Sequence, residues 1–84
     1  MKPLTQYGRM AEIHWRTFLP RMTAELDARG QLRVLLLEAE ERTEAELDSL
    51  RRHFIQQGLT PQQAHDRAWE IVRERYIFLQ PEAN

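Results

Sequence analysis

Cysteine is absent from this 84-residue chain, glycine occurs three times and serine once. Without cysteine no disulfide can staple a small core and no thiolate can hold zinc. Three scattered glycines, Gly8, Gly30 and Gly58, do not make a phosphate-cradling loop. The lone serine, Ser49, stands one helical turn before His53 with Asp48 beside it, but nothing supplies the strained turn or oxyanion hole that a serine nucleophile needs. Long apolar runs are missing too. The longest, Val34-Leu35-Leu36-Leu37, is far short of a membrane span. The opening MKPLTQYGRM holds no hydrophobic signal segment, so a cytoplasmic location is the expectation.

Charge of one sign is also missing, since 12 basic and 13 acidic side chains leave a formal charge of −1. The distribution is less even than the total. Residues 1–33 carry +3, residues 34–50 carry −5 and residues 51–84 carry +1. That alternation excludes a uniformly basic nucleic-acid-coating surface and leaves room for a local arginine patch. Eleven of the twelve basic residues are arginine, which suits planar contacts with carboxylate or phosphate.

What the chain has in quantity is helical periodicity. Tyr7, Ala11, Trp15, Phe18, Met22 and Leu26 recur three and four apart, the spacing of one helix face. Pro20 interrupts that stripe, so either one helix kinks there or a first helix ends at Leu19 and a second starts at Pro20; the bias of Leu19 out of the helical region favours the break. Gly8 should weaken the first turn, and Gly30 should make a C-cap or tight corner. From Gln31 to Gln57 the pattern is helical again, with Leu32, Leu35, Leu36 and Ala39 at one end and Leu47, Leu50 and Phe54 at the other. Between them the stripe falls on Glu40 and Thr43. This predicts either one long helix with a wet middle or two helices joined near Arg42. The absence of Gly and Pro favours the single helix.

The stretch GLTPQQAHDRAWEIVRERY, Gly58 to Tyr76, has a complete helix start. Thr60 suits the N-cap, Pro61 the first turn and Gln63 the third position of a capping box. Ala64, Ala68, Ile71 or Val72, and Tyr76 form its buried stripe, with Trp69 on the flank. The fold class that follows is all-α, a small bundle of three to five helices with short turns. It forms one domain over residues 1–84, with residues 80–84 expected to be a frayed tail.

Chemistry finds little support. His65, Asp66, Glu70 and Glu74 lie near one another on the last helix, yet a carboxylate di-metal site needs Glu-x-x-His units from several helices. The acidic residues here alternate with Arg67 and Arg73, as on a solvated face. His14, His53 and His65 belong to no metal-ligand spacing. The expectation is therefore a protein that is not an enzyme and carries no cofactor or metal.

An interaction role needs the fewest additions. Large apolar residues are many for so thin a core, and Tyr, Trp and Arg are favoured interface anchors. Trp15, Phe18, Leu36, Trp69, Tyr76 and Phe78 are the candidate interface residues, and a homodimer is the simplest assembly. Another protein partner would use the same groups. The alternative is a small DNA-binding accessory factor whose Arg9, Arg16 and Arg21 contact phosphate; Arg9 and Arg16, one heptad apart, can share a face. No membrane contact is expected.

The order YGRMAEIHWRTFLPRMTAELDARGQL resembles the central segment of TnpV-type proteins, small proteins encoded in bacterial transposons. Gly8, Arg9, Pro20, Gly30 and Leu32 carry the resemblance, and the acidic helix and AWEIVRERYIF, Ala68 to Phe78, are similar to that family's end. The resemblance implies a mobile-element origin and an accessory role in transposition, and it brings no catalytic residue with it.

Overall fold

The structure is a computed structural model that describes residues 3–82. Among the described residues the chain forms four helices and no strand: α1 (Gln6–Phe18), α2 (Pro20–Ala28), α3 (Leu32–Gln56) and α4 (Pro61–Tyr76). Each boundary has a local cause. Leu19 leaves the helical region at φ −129 and ψ 56, and Pro20 takes the first turn of α2, where its missing N–H costs nothing. The carbonyls that α1 exposes at this break are taken up nearby. Trp15 O accepts from Leu19 N at 2.8 Å and lies 2.9 Å from the Thr23 hydroxyl, which can also donate to Leu19 O at 2.8 Å.

Gly30 and Gly58 end α2 and α3 in the same way. Both have positive φ, +68 and +103, where a side chain would be strained. After α2, Gln31 N donates to Leu26 O at 2.8 Å and Gly30 N to Asp27 O at 3.0 Å. After α3, Leu59 N donates to Phe54 O at 3.1 Å and Gly58 N to Ile55 O at 3.0 Å. These are Schellman closures, which satisfy the last carbonyls of each helix. The start of α4 is the capping box expected from its sequence: Gln63 N donates to the Thr60 hydroxyl at 3.2 Å, and Thr60 N donates to Gln63 Oε1 at 3.0 Å.

α3 is one helix of 25 residues, about 37 Å long. It is the spine against which the others pack. Ala11, Trp15, Leu19, Leu32, Leu36, Ala39 and Ile77 form one buried cluster. Leu47, Ala68 and Val72 form a second, where α4 crosses α3. Tyr7, Trp69 and Tyr76 touch both clusters and join them. The shape is flat, 46 × 34 × 14 Å. Its radius of gyration of 14.4 Å exceeds the roughly 12 Å of a compact domain of this length.

The middle of α3 departs from the sequence reading. Glu40 and Thr43, expected to be wet, are buried, Glu40 to 1% exposure. The segment entering α1 lies over Glu40. Thr5 N and the Thr5 hydroxyl both donate to Glu40 Oε2 at 2.8 Å. Thr5 precedes α1 in extended geometry, yet its hydroxyl makes no cap to its own helix; it is committed to Glu40 instead. Glu40 Oε1 and Thr43 Oγ1 have no hydrogen-bond partner among the described residues.

The described part of the tail makes long-range contacts at Glu82. Glu82 N donates to Phe18 O at 3.0 Å, and the Glu82 carboxylate accepts from Arg21 N at 3.0 Å and Met22 N at 2.9 Å. Leu19, the N-cap of α2, has no side-chain acceptor, so the chain brings a carboxylate from 60 residues away to the exposed amides. Residues 80–82 are therefore tied down at Glu82, and Ala83 and Asn84 lie outside the described residues.

Gly8 tests this packing through its sign. Alanine in place of glycine ordinarily stabilises a helix by up to ~1 kcal/mol. Here a Cβ at position 8 would fall well inside contact distance of Glu40 Oε2 and 2.9 Å from Leu4 Cδ2. Gly8→Ala is expected to destabilise the fold by about 1–3 kcal/mol in chemical denaturation, as overpacking does. A gain in stability would contradict the close approach.

Candidate interaction surface

Packing α1 through Gly8, Ala11 and Trp15 turns its opposite side outward. At 100° per residue that outer stripe contains Gln6, Met10, Ile13 and Thr17. Ile13, at 69% exposure, is the most exposed large apolar residue among the described residues, and Phe18 at the end of the helix is 46% exposed. Met10, Ile13, His14, Thr17, Phe18 and Phe78 line a shallow, mostly apolar groove of about 250 Å³.

The groove is backed by a chain of rings. Phe18 lies 4.7 Å from His14, His14 lies 5.1 Å from Phe78, Phe78 lies 6.0 Å from Trp69, and Trp69 lies 5.5 Å from Tyr7. His14 is fixed in turn, since its Nε2 donates to Leu79 O at 2.8 Å. The exposed apolar groups are thus anchored through tilted and edge-on ring contacts to the region between the two core clusters.

One flank of the stripe is charged. Arg16 Nε and Nη2 both donate to Glu12 Oε2, at 3.1 and 3.0 Å, and Arg9 Nη1 donates to Leu4 O at 3.1 Å. Arg9 and Arg16 share this face, as their heptad spacing predicts. Arg21 is exposed at the start of α2, close to the Glu82 carboxylate that binds its backbone N–H. Two of the three arginines, Arg16 and Arg21, therefore have a carboxylate beside them, which reduces their pull on a phosphate backbone.

The interface candidates separate into three groups. Trp15 and Leu36 are 5% and 2% exposed and belong to the chain's own core, so they are not available to a partner. Trp15 Nε1 also donates inward, to Ile77 O at 3.2 Å. Trp69, Tyr76 and Phe78 are half-buried. Phe18 alone of the six is well exposed. Ile13 and Met10 were missed by the sequence reading. The available signal was an isoleucine lying off the apolar stripe, between Glu12 and His14.

Other concavities are bordered by charged residues. An opening of about 570 Å³ is lined by His14, Arg73, Glu74 and Phe78–Pro81, with charges of both signs. A groove of about 300 Å³ has Trp15, Leu35, Ala39 and Leu79 at its floor. The arginines at its rim are engaged within the chain: Arg42 pairs with Glu38 at 2.8 Å, and Arg75 pairs with Glu46. Elsewhere, Asp66 accepts from Gln62 at 2.9 Å on an exposed face. Among the described residues no three His, Cys, Asp or Glu side chains are grouped to hold a metal ion. No described helix is long and apolar enough to cross a membrane.

No family model, curated protein or solved structure matches the chain. The TnpV-type resemblance therefore rests on its motif residues alone.

The Glu46 cluster makes a prediction about pH. The Tyr76 phenol is raised above its ordinary 10.0, first by its hydrogen bond to Glu46, then by desolvation and by the Glu46 charge, with Arg42 opposing. A raised folded value means that this contact supports the fold below pH 10 and is lost as pH climbs through the folded value. Subtracting the ultraviolet phenol titration of Tyr76→Phe from that of the parent should leave a midpoint above 10.0. A midpoint at or below that value would remove Glu46 as the partner.

Proposed function

We propose that this chain is a non-enzymatic interaction protein that associates with itself, using the outer face of α1 rather than a chemical site. The observation that carries this reading is the exposed Ile13 at the head of the groove formed with Met10, Phe18 and Phe78. Single exposed apolar residues are ordinary on a protein surface. This one belongs to a group of four large apolar side chains that joins the chain of tilted rings, and such groups mark interaction surfaces more often than scattered ones do.

The size of the molecule agrees. Its accessible surface of 5856 Å² is above the roughly 5,300 Å² of a typical folded monomer of 10.1 kDa. A flat helical unit keeps much of each helix in contact with water, and a second copy is the nearest means of covering it. Contact of Arg9, Arg16 and Arg21 with DNA is the weaker reading, because Glu12 and Glu82 sit beside two of the three.

Light scattering on a sizing column tests the proposal. Across a concentration series the mass should rise from 10.1 kDa toward twice that value. The rise should persist at high salt, because apolar contact is screened far less than phosphate binding. A mass that stays at 10.1 kDa to millimolar concentration would end the proposal.

A further inference from the structure

The face of α1 that self-association would use also carries a charge pattern, and that pattern specifies an orientation. Around the helix, Arg9, Arg16 and Glu12 lie on one side of Ile13, while Thr17, Met10, His14 and Phe18 lie on the other. The charged flank therefore reads Arg9, Glu12, Arg16 along the axis. When two identical helices pack antiparallel, like flanks meet and the order of one is reversed against the other. Glu12 then falls opposite the partner's Arg16, and Arg16 opposite the partner's Glu12. When they pack parallel about a two-fold axis, unlike flanks meet, and the Arg9–Glu12–Arg16 flank lies against the partner's His14 and Phe18 with no opposite charge to pair with.

We infer that α1 pairs with α1 of a second copy, antiparallel, about a two-fold axis passing close to Ile13 and His14. This rests on the self-association proposed above and adds its surface and register. Met10 then packs against the partner's Thr17, and Ile13 lies at the axis. The aromatic flank of His14 and Phe18 meets its own copy. The Arg16–Glu12 bridge, 3.0 Å and solvent-accessible within one chain, gains a second, symmetric pair of partners across the interface. Arg9 reaches the end of the partner's α1. The arrangement is isologous and closes on itself, so it gives a dimer and not a filament.

The contact is small. A helix of 13 residues is about 20 Å long, which places the pairing at the low end of specific interfaces. The dimer is accordingly weak, reversible and dependent on concentration.

Sedimentation equilibrium of the full chain, with circular dichroism to confirm that each variant folds, tests surface and register separately. Ile13 is exposed, so Ile13→Asp leaves the core intact; it should raise the dimer Kd at least about tenfold. Arg16→Glu and Glu12→Arg alone should each weaken the dimer by about tenfold, because each sets like charges against one another. The double exchange E12R/R16E should recover most of the loss. A dimer unaffected by Ile13→Asp would overturn the assigned surface while leaving self-association in place. Loss with Ile13→Asp but no recovery in the double exchange would overturn the antiparallel register. A chain monomeric throughout would overturn both the inference and the self-association beneath it.

Discussion

The placement of α1 depends on one buried carboxyl group. Glu40 sits in the middle of α3 at almost zero exposure, and Thr5 gives it two hydrogen bonds from the chain entering α1. A polar group in that position is costly unless it is bonded, and the cost is what makes the contact selective. Any other placement of the first helix leaves Glu40 buried without Thr5 or uncovers the α3 core on either side of it. Gly8 completes the fit, because only a residue without a side chain lets α1 come so close. The glycine that weakens the helix as a local element is thus required by the tertiary structure.

From that contact the rest of α1 is determined. With Gly8, Ala11 and Trp15 turned toward α3, Met10, Ile13 and Thr17 must face outward. The far end is held by different means. Pro20 stops the helix, Thr23 serves the carbonyls left at the break, and Glu82 returns from the end of the chain to cap α2. Trp15 donating to Ile77 O and His14 donating to Leu79 O tie the same C-terminal segment to α1. The outer face of α1 is therefore presented by a helix fixed at both ends, and a fixed face loses less entropy when it binds.

The sequence was most informative where the cause is local. Pro20, Gly30, Gly58 and the Thr60–Gln63 box act within a few residues, through backbone stereochemistry, and each fell where its chemistry places it. The four-helix all-α architecture follows from those positions and from the apolar spacing. The contacts missed are separated along the chain: Thr5 with Glu40 across 35 residues, Glu82 with Arg21 and Met22 across 61 and 60. Periodicity marks Glu40 as out of place in an apolar stripe without saying what comes to meet it. The candidate surface was legible only in part. An apolar stripe reads the same whether it faces the chain's own core or a partner, so the spacing alone does not separate buried Trp15 and Leu36 from exposed Phe18, and it gives Ile13 no mark.

The central claim is that Glu40 receives the Thr5 amide and so fixes α1. Hydrogen exchange of that single amide tests it most directly. An N-terminal cap residue ordinarily has a solvent-exposed N–H that exchanges freely. Here the Thr5 amide should be protected to nearly the same free energy as the interior of α3, and Glu40→Ala should abolish that protection first. Free exchange of Thr5 in the parent chain would contradict the account, since α1 would then be held by its apolar face alone and its outward face would no longer be determined.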